Sequence, residues 1–156
     1  MNETANELTI SRIIKAPRAL VWKAWTTPEH LQQWWCPKPW TTEIRGFELR
    51  PGGSFDTLMR GPDGEESSNP GSFLEIVPQE RIVFTTALVK GWQPGTPWLA
   101  LTAFILMEDE GDGRTRYTAR VLHRDDADRR KHEEMGFYDG WGTCIDQLGE
   151  LAEQLA

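Results

Sequence analysis

Apolar residues return every three or four positions from Met135 to Ala156. At about 100 degrees per residue, Phe137, Trp141, Cys144, Ile145, Leu148, Leu151, Ala152 and Leu155 fall in one stripe, and Asp139, Thr143, Asp146, Glu150 and Glu153 fall opposite. The spacing predicts a long amphipathic helix whose stripe must be buried. Gly136, Gly140, Gly142 and Gly149 lie within it, each at a cost of up to about 1 kcal/mol relative to Ala. A helix with so many glycines either admits another backbone close by or leaves room beside its buried face. The second arrangement would be a cavity.

The rest of the chain supplies what that helix packs on. Residues 8 to 15 alternate as a first strand. Pro17 suits the start of a helix with Val21, Ala24 and Trp25 as its inner stripe. Thr27-Pro28 opens a second short helix, with Leu31, Trp34 and Trp35 on one face and Pro37 and Pro39 ending it. From Trp40 the period becomes two. Strands are predicted at Trp40 to Leu49, Ser54 to Arg60, Gly71 to Val77, Arg81 to Val89, Leu99 to Glu108 and Thr115 to His123, separated by turn sequences such as Gly61-Pro62-Asp63-Gly64 and Gly111-Asp112-Gly113. Asp125 or Asp126 caps the closing helix. Strands joined by short turns pair antiparallel. The order strand, two short helices, six strands, long helix gives the α+β class. The chain has no internal repeat or linker, so residues 1–156 read as a single domain, with residues 1–7 frayed.

Charge narrows the partners. Seventeen basic against twenty-four acidic residues leave a net charge of −7, which disfavours nucleic acid and anionic membrane surfaces. No apolar run reaches the roughly 20 residues of a membrane span. Two distant thiols, Cys36 and Cys144, make no disulfide framework. With polar first residues in place of a leader, they point to the cytoplasm.

The search for chemistry returns little. His123 and His132 sit among Asp125, Asp126, Asp128 and Glu133. No His pair has helical i, i+4 spacing and no Cys/His cluster exists, so this reads as a solvated, charged helix start with no metal. No phosphate-binding loop or serine elbow occurs. Glu48, Asp56 and Glu75 lie on or beside predicted strands and read as facing water. No catalytic residue and no cofactor are assigned. What remains is aromatic and sulfur-bearing surface: Trp34, Trp35, Phe55, Met59, Phe73, Phe84, Trp98, Phe104, Met135, Phe137, Trp141 and Cys144. These form one packed core, or they line an apolar pocket. The residue pattern leaves both open.

Four stretches together carry a resemblance over most of the chain: VWKAWTTPEHLQQWW (Val21 to Trp35), LRPGGSFDTLMRGPDG (Leu49 to Gly64), GSFLEIVPQERIVFT (Gly71 to Thr85) and MGFYDGWGTCIDQL (Met135 to Leu148). The chain resembles the activator of heat-shock-protein-90 ATPase homologue C-terminal-domain-like family, within the START-like or SRPBCC superfamily. The resemblance implies a helix-grip fold, in which a curved antiparallel sheet wraps a long C-terminal helix and two short helices close one end. It also implies a small hydrophobic or aromatic ligand held between sheet and helix. Its alternatives are a protein-interaction module with a chaperone as partner, and an enzyme of the cyclase or dehydratase kind. The family's co-chaperones carry a further N-terminal domain. The few, mostly polar residues before the first strand lead us to expect none here.

Overall fold

The structure, a computed structural model, describes residues 6–156. The expected fraying of residues 1–7 falls outside the described residues for its first five positions, and Glu7 already belongs to a strand. Strand β1 (Glu7–Ile14) leads through Pro17 to helix α1 (Arg18–Thr26), and Pro28 opens the one-turn helix α2 (Pro28–Leu31). There follow β2 (Thr41–Phe47), β3 (Phe55–Arg60), β4 (Glu66–Asn69), β5 (Ser72–Val77), β6 (Arg81–Thr85), β7 (Leu88–Val89), β8 (Gln93–Pro94) and β9 (Leu101–Gly111). Strand β10 (Arg114–His123) and helices α3 (Asp126–Glu134) and α4 (Phe137–Gln154) complete the chain.

Every strand pair is antiparallel. One sheet has the order β1-β10-β9-β6-β5 and a second the order β2-β3-β4. They join where the chain before β3 meets the start of β5. Gly52 N–H donates to Phe73 O at 2.8 Å, Phe73 N–H to Gly53 O at 3.0 Å and Phe55 N–H to Gly71 O at 3.0 Å. Helix α4 packs on β1 and on α1. This is the α+β, helix-grip architecture. Along α4 the buried residues include Phe137, Ile145, Leu148, Leu151 and Ala152, while Asp139, Thr143, Asp146, Glu150 and Glu153 are exposed. A Cβ at Gly142 would sit 3.2 Å from Arg12 Nη2 and 3.5 Å from Ile10 Cδ1, so β1 comes close to this helix there.

Four boundaries differ from the pattern reading. The closing helix is two helices. Asp125 caps α3 by accepting from Asp128 N–H at 2.8 Å, and Gly136, at φ +95°, turns the chain into α4. Only glycine takes that φ without strain. Helix α2 stops at Leu31, although Trp34 and Trp35 keep their spacing through turns bonded to Leu31 O. The expected strand Arg81 to Val89 ends at Thr85, and Leu88–Val89 pairs with Gln93–Pro94. Strand β4 was not expected. Its residues are Glu-Ser-Ser-Asn, it pairs with β3 alone, and an edge strand without a buried face shows no alternation.

The core is aromatic. Trp25 is fully buried, and its ring lies 5.3 to 6.3 Å from those of Trp34, Trp35, Phe55, Phe73 and Phe84. Its indole N–H donates to Tyr117 Oη at 3.1 Å, and burial pushes the Tyr117 phenol upward. Trp25→Ala should lower stability by about 3–5 kcal/mol, read as a fall in the urea midpoint. A loss under about 1 kcal/mol would show that the cluster does not depend on this ring.

Candidate functional site

Two adjoining recesses lie in front of the aromatic cluster. One lobe, of about 330 Å³, lies between β3, β4, the end of β6 and the loop before β9. The other, of about 240 Å³, lies between the segment after α2 and the first turns of α4. Trp35, Met59, His132 and Trp141 line both. Among the described residues no Lys, Arg, Asp or Glu lines either lobe.

Ten of the twelve residues singled out from the sequence border this space. Phe55, Phe84 and Trp98 line the first lobe, Trp34, Met135, Phe137 and Cys144 the second, and Trp35, Met59 and Trp141 both. Trp98 and Met135 stand at the rim, each more than half exposed. Two residues are elsewhere. Phe73 is fully buried and stacks behind Phe55 at 4.7 Å. Phe104 is on the outer face of the sheet, with the Arg120 guanidinium 5.8 Å from its ring centre. Its neighbours Ala103 and Ile105 take the buried positions of β9.

The second lobe is shaped by a residue that the pattern reading did not weigh. Gln147 Nε2 donates to Trp34 O at 3.2 Å and Cys36 O at 2.9 Å, and Gln147 Oε1 accepts from Lys38 N–H at 3.0 Å. These three bonds hold the segment carrying Trp34 and Trp35 against α4. Across from it a Cβ at Gly140 would meet nothing within 4 Å, so the helix is bare where it borders the lobe. The Cys36 thiol accepts from Thr42 Oγ1 at 2.9 Å. Burial pushes both thiols up, Cys144 to about 12. Neither is a ready nucleophile.

The histidines overturn the expectation of a solvated helix start. His123 and His132 are buried, exposing 7% and 8%. His123 Nδ1 lies 2.8 Å from Asn6 O, His123 Nε2 lies 2.9 Å from His132 Nδ1, and Trp141 Nε1 lies 3.3 Å from His132 Nε2. Burial, with a smaller contribution from His123, pushes His132 down to about 4, so it is neutral at pH 7. His123 carried a signal. It continues the inward parity of Thr115, Tyr117, Ala119 and Val121 on β10. The surrounding acidic residues masked it.

The strand carboxylates are structural. The Ser54 hydroxyl and backbone N–H, with Arg50 and Lys90, hold Glu48 at about 2. Asp56 Oδ1 accepts from Gly71 N–H at 3.1 Å, at the join between the sheets. Glu75 pairs with Arg81 at the surface. Among the described residues no three His, Cys, Asp or Glu gather into a cluster able to hold a metal ion, and no helix is long and apolar enough to cross a membrane.

A family model described as Activator of Hsp90 ATPase homolog 1-like protein matches residues 15–153. No curated protein matches the chain. Among solved structures, a crystal structure of a protein from Nitrosomonas europaea is 43% identical, with 98% of this chain and 97% of that chain covered and a TM-score of 0.92. A solution structure of a protein from Arthrobacter aurescens is 24% identical over 99% and 90%, with a TM-score of 0.84. A crystal structure of an AHSA1 protein from Silicibacter pomeroyi is 20% identical over 95% and 99%, with a TM-score of 0.70. The last two show likeness of fold alone.

His132 gives this site a pH signature. In the unfolded chain a histidine titrates near 6.5, and in the fold His132 titrates near 4. Between those values the unfolded chain binds the extra proton, so stability rises with pH. The contribution is complete above about pH 6.5 and is lost as pH falls toward 4, on the order of 3 kcal/mol. Urea midpoints of wild type and His132→Phe across this range should therefore have different slopes, the variant being flatter. Parallel curves would mean that His132 is open to solvent.

Proposed function

Because the chain belongs to the family of Activator of Hsp90 ATPase homolog 1-like proteins, we propose that it binds a small hydrophobic or aromatic molecule in the two-lobed cavity between sheet and α4. One observation carries the reading. The stripe of α4 that the pattern assigned to burial faces open volume at Trp141, beside the bare position of Gly140. The volumes of about 330 and 240 Å³ suit a small ligand. The rings of Trp35, Phe55 and Phe84 that form its wall rest on Trp25. The wall is thus preorganised, which lowers the cost of ordering on binding. The cytoplasm is the compartment proposed, and residues 1–156 are proposed to work as one domain.

One observation favours a second reading. His132 borders the cavity with a neutral imidazole, the protonation state a general base requires. An enzyme of the cyclase or dehydratase kind would use it in that way. A chaperone partner rests on the family resemblance alone.

A neutral fluorescent probe, N-phenyl-1-naphthylamine, tests the first reading. Wild type should enhance its emission saturably. Gly140→Leu adds a side chain where nothing stands and replaces a helical glycine, so it should keep or raise stability while blocking the probe. Trp141→Ala should lose the probe with a stability loss of about 1–2 kcal/mol, below that of a fully packed Trp. No enhancement by wild type, together with unfolding of Trp141→Ala, would make the stripe plain core and end the ligand reading.

A further inference from the structure

The two histidines lie in a hydrogen-bond chain whose ends allow no choice. At one end the Asn6 carbonyl can only accept, and at the other the Trp141 indole can only donate. His123 Nδ1 must therefore carry its hydrogen toward Asn6 O, at 2.8 Å. The neutral His123 then presents Nε2 as an acceptor. His132 Nδ1 donates to it at 2.9 Å, which leaves His132 Nε2 as a lone pair facing the indole N–H. If His123 were charged, its Nε2–H would donate to His132 Nδ1. His132 Nε2 would then carry a hydrogen and meet the indole N–H donor to donor. Only the neutral pair satisfies all three contacts.

The last link is the longest, at 3.3 Å against 2.8 and 2.9 Å, and it alone joins two residues that line both lobes. We infer that His132 Nε2 is the ligand's anchor. It accepts from a neutral aromatic molecule carrying an O–H or N–H donor, a phenol-like compound, which takes the place of the Trp141 N–H. This rests on the ligand-binding reading above. Three features set the class. His132 cannot turn donor toward the cavity while its Nδ1 hydrogen is held by His123. Its depressed basicity keeps the lone pair free at neutral pH. With no cationic side chain in the wall, a carboxylate or phosphate would be buried without a counter-charge. A ligand lacking a donor would leave Nε2 with its long bond to Trp141 and gain nothing from it.

Displacement of bound N-phenyl-1-naphthylamine by 2-naphthol, 2-methoxynaphthalene and 2-methylnaphthalene tests this in the wild-type protein. The naphthol should displace the probe at a concentration a few-fold lower than either analogue, since it exchanges a 3.3 Å bond at His132 Nε2 for a shorter one. Trp141→Phe keeps an aromatic wall and removes the competing N–H, so analogues without a donor leave Nε2 unpaired and the preference should widen to about 10-fold or more. His132→Phe should bind the probe more weakly, because the probe's own N–H loses its acceptor, and should lose the preference. Equal displacement by all three compounds, with probe binding intact, would overturn the anchor and leave the ligand reading standing. Absence of probe binding would overturn both. If His132→Phe does not fold, the wild-type preference and its change in Trp141→Phe decide the matter.

Discussion

Trp25 is the point on which both the core and the cavity depend. Its ring is fully buried and meets aromatic rings from β3, β5, β6 and the segment after α2. Trp35, Phe55 and Phe84 pack on Trp25 and also border the first lobe. An aromatic ring that borders open space loses dispersion contacts there. Here the packing on Trp25 holds the rings in place so that the lobe can stay open. Core and pocket are therefore not alternatives in this molecule. The same side chains belong to both.

Helix α4 solves a related problem by using its glycines differently. At Gly142 the missing side chain lets β1 come close. At Gly140, two positions earlier and on another face, the missing side chain is empty space. The helix is thus pressed against the sheet on one side and leaves a gap beside the segment after α2 on another. Two turns further on, Gln147 clamps that segment to the helix. Its amide satisfies two carbonyls and one N–H of a segment that has no strand or helix to pair with. Buried backbone groups need such partners, so the clamp is as much a requirement of burying that segment as a device for shaping the lobe.

Much of this architecture was legible in the residues, and the gaps have physical causes. The inner stripe of α4, the alternation of β9 and β10 and the turn sequences all come from periodic burial, and periodicity is what a sequence displays. Strand β4 escaped because an edge strand of Glu-Ser-Ser-Asn buries no face. Phe104 was misplaced because aromatic character does not say which parity points inward, and Ala103 and Ile105 hold the inner positions. Phe73 was misplaced by a layer, since it sits behind Phe55. His132 was read as solvated because its neighbours in sequence are charged. Its burial comes from His123 at the end of β10 and from Phe137 and Trp141 on α4, which are near in the chain but meet it only because the chain turns before α3 and again at Gly136. Gln147 could not have been found from pattern alone, because its role is to answer backbone groups more than a hundred residues away.

The histidine chain adds a constraint that packing alone does not supply. It runs from the residue before β1, through the end of β10 and α3, to α4. A buried polar group left unpaired costs roughly 1–3 kcal/mol, so breaking an inner link would strand a partner in the interior. The outer link is different. Exchanging the Trp141 N–H for another donor leaves His132 satisfied, leaves His123 and Asn6 undisturbed, and changes no charge. The cost falls on one indole N–H, and only to the extent that it finds no new acceptor. In the proposed role, the cavity could fill and empty through that exchange while the tie between strand and helices persists. A fixed donor–acceptor direction within a chain of neutral groups is what makes one end replaceable without loosening the rest.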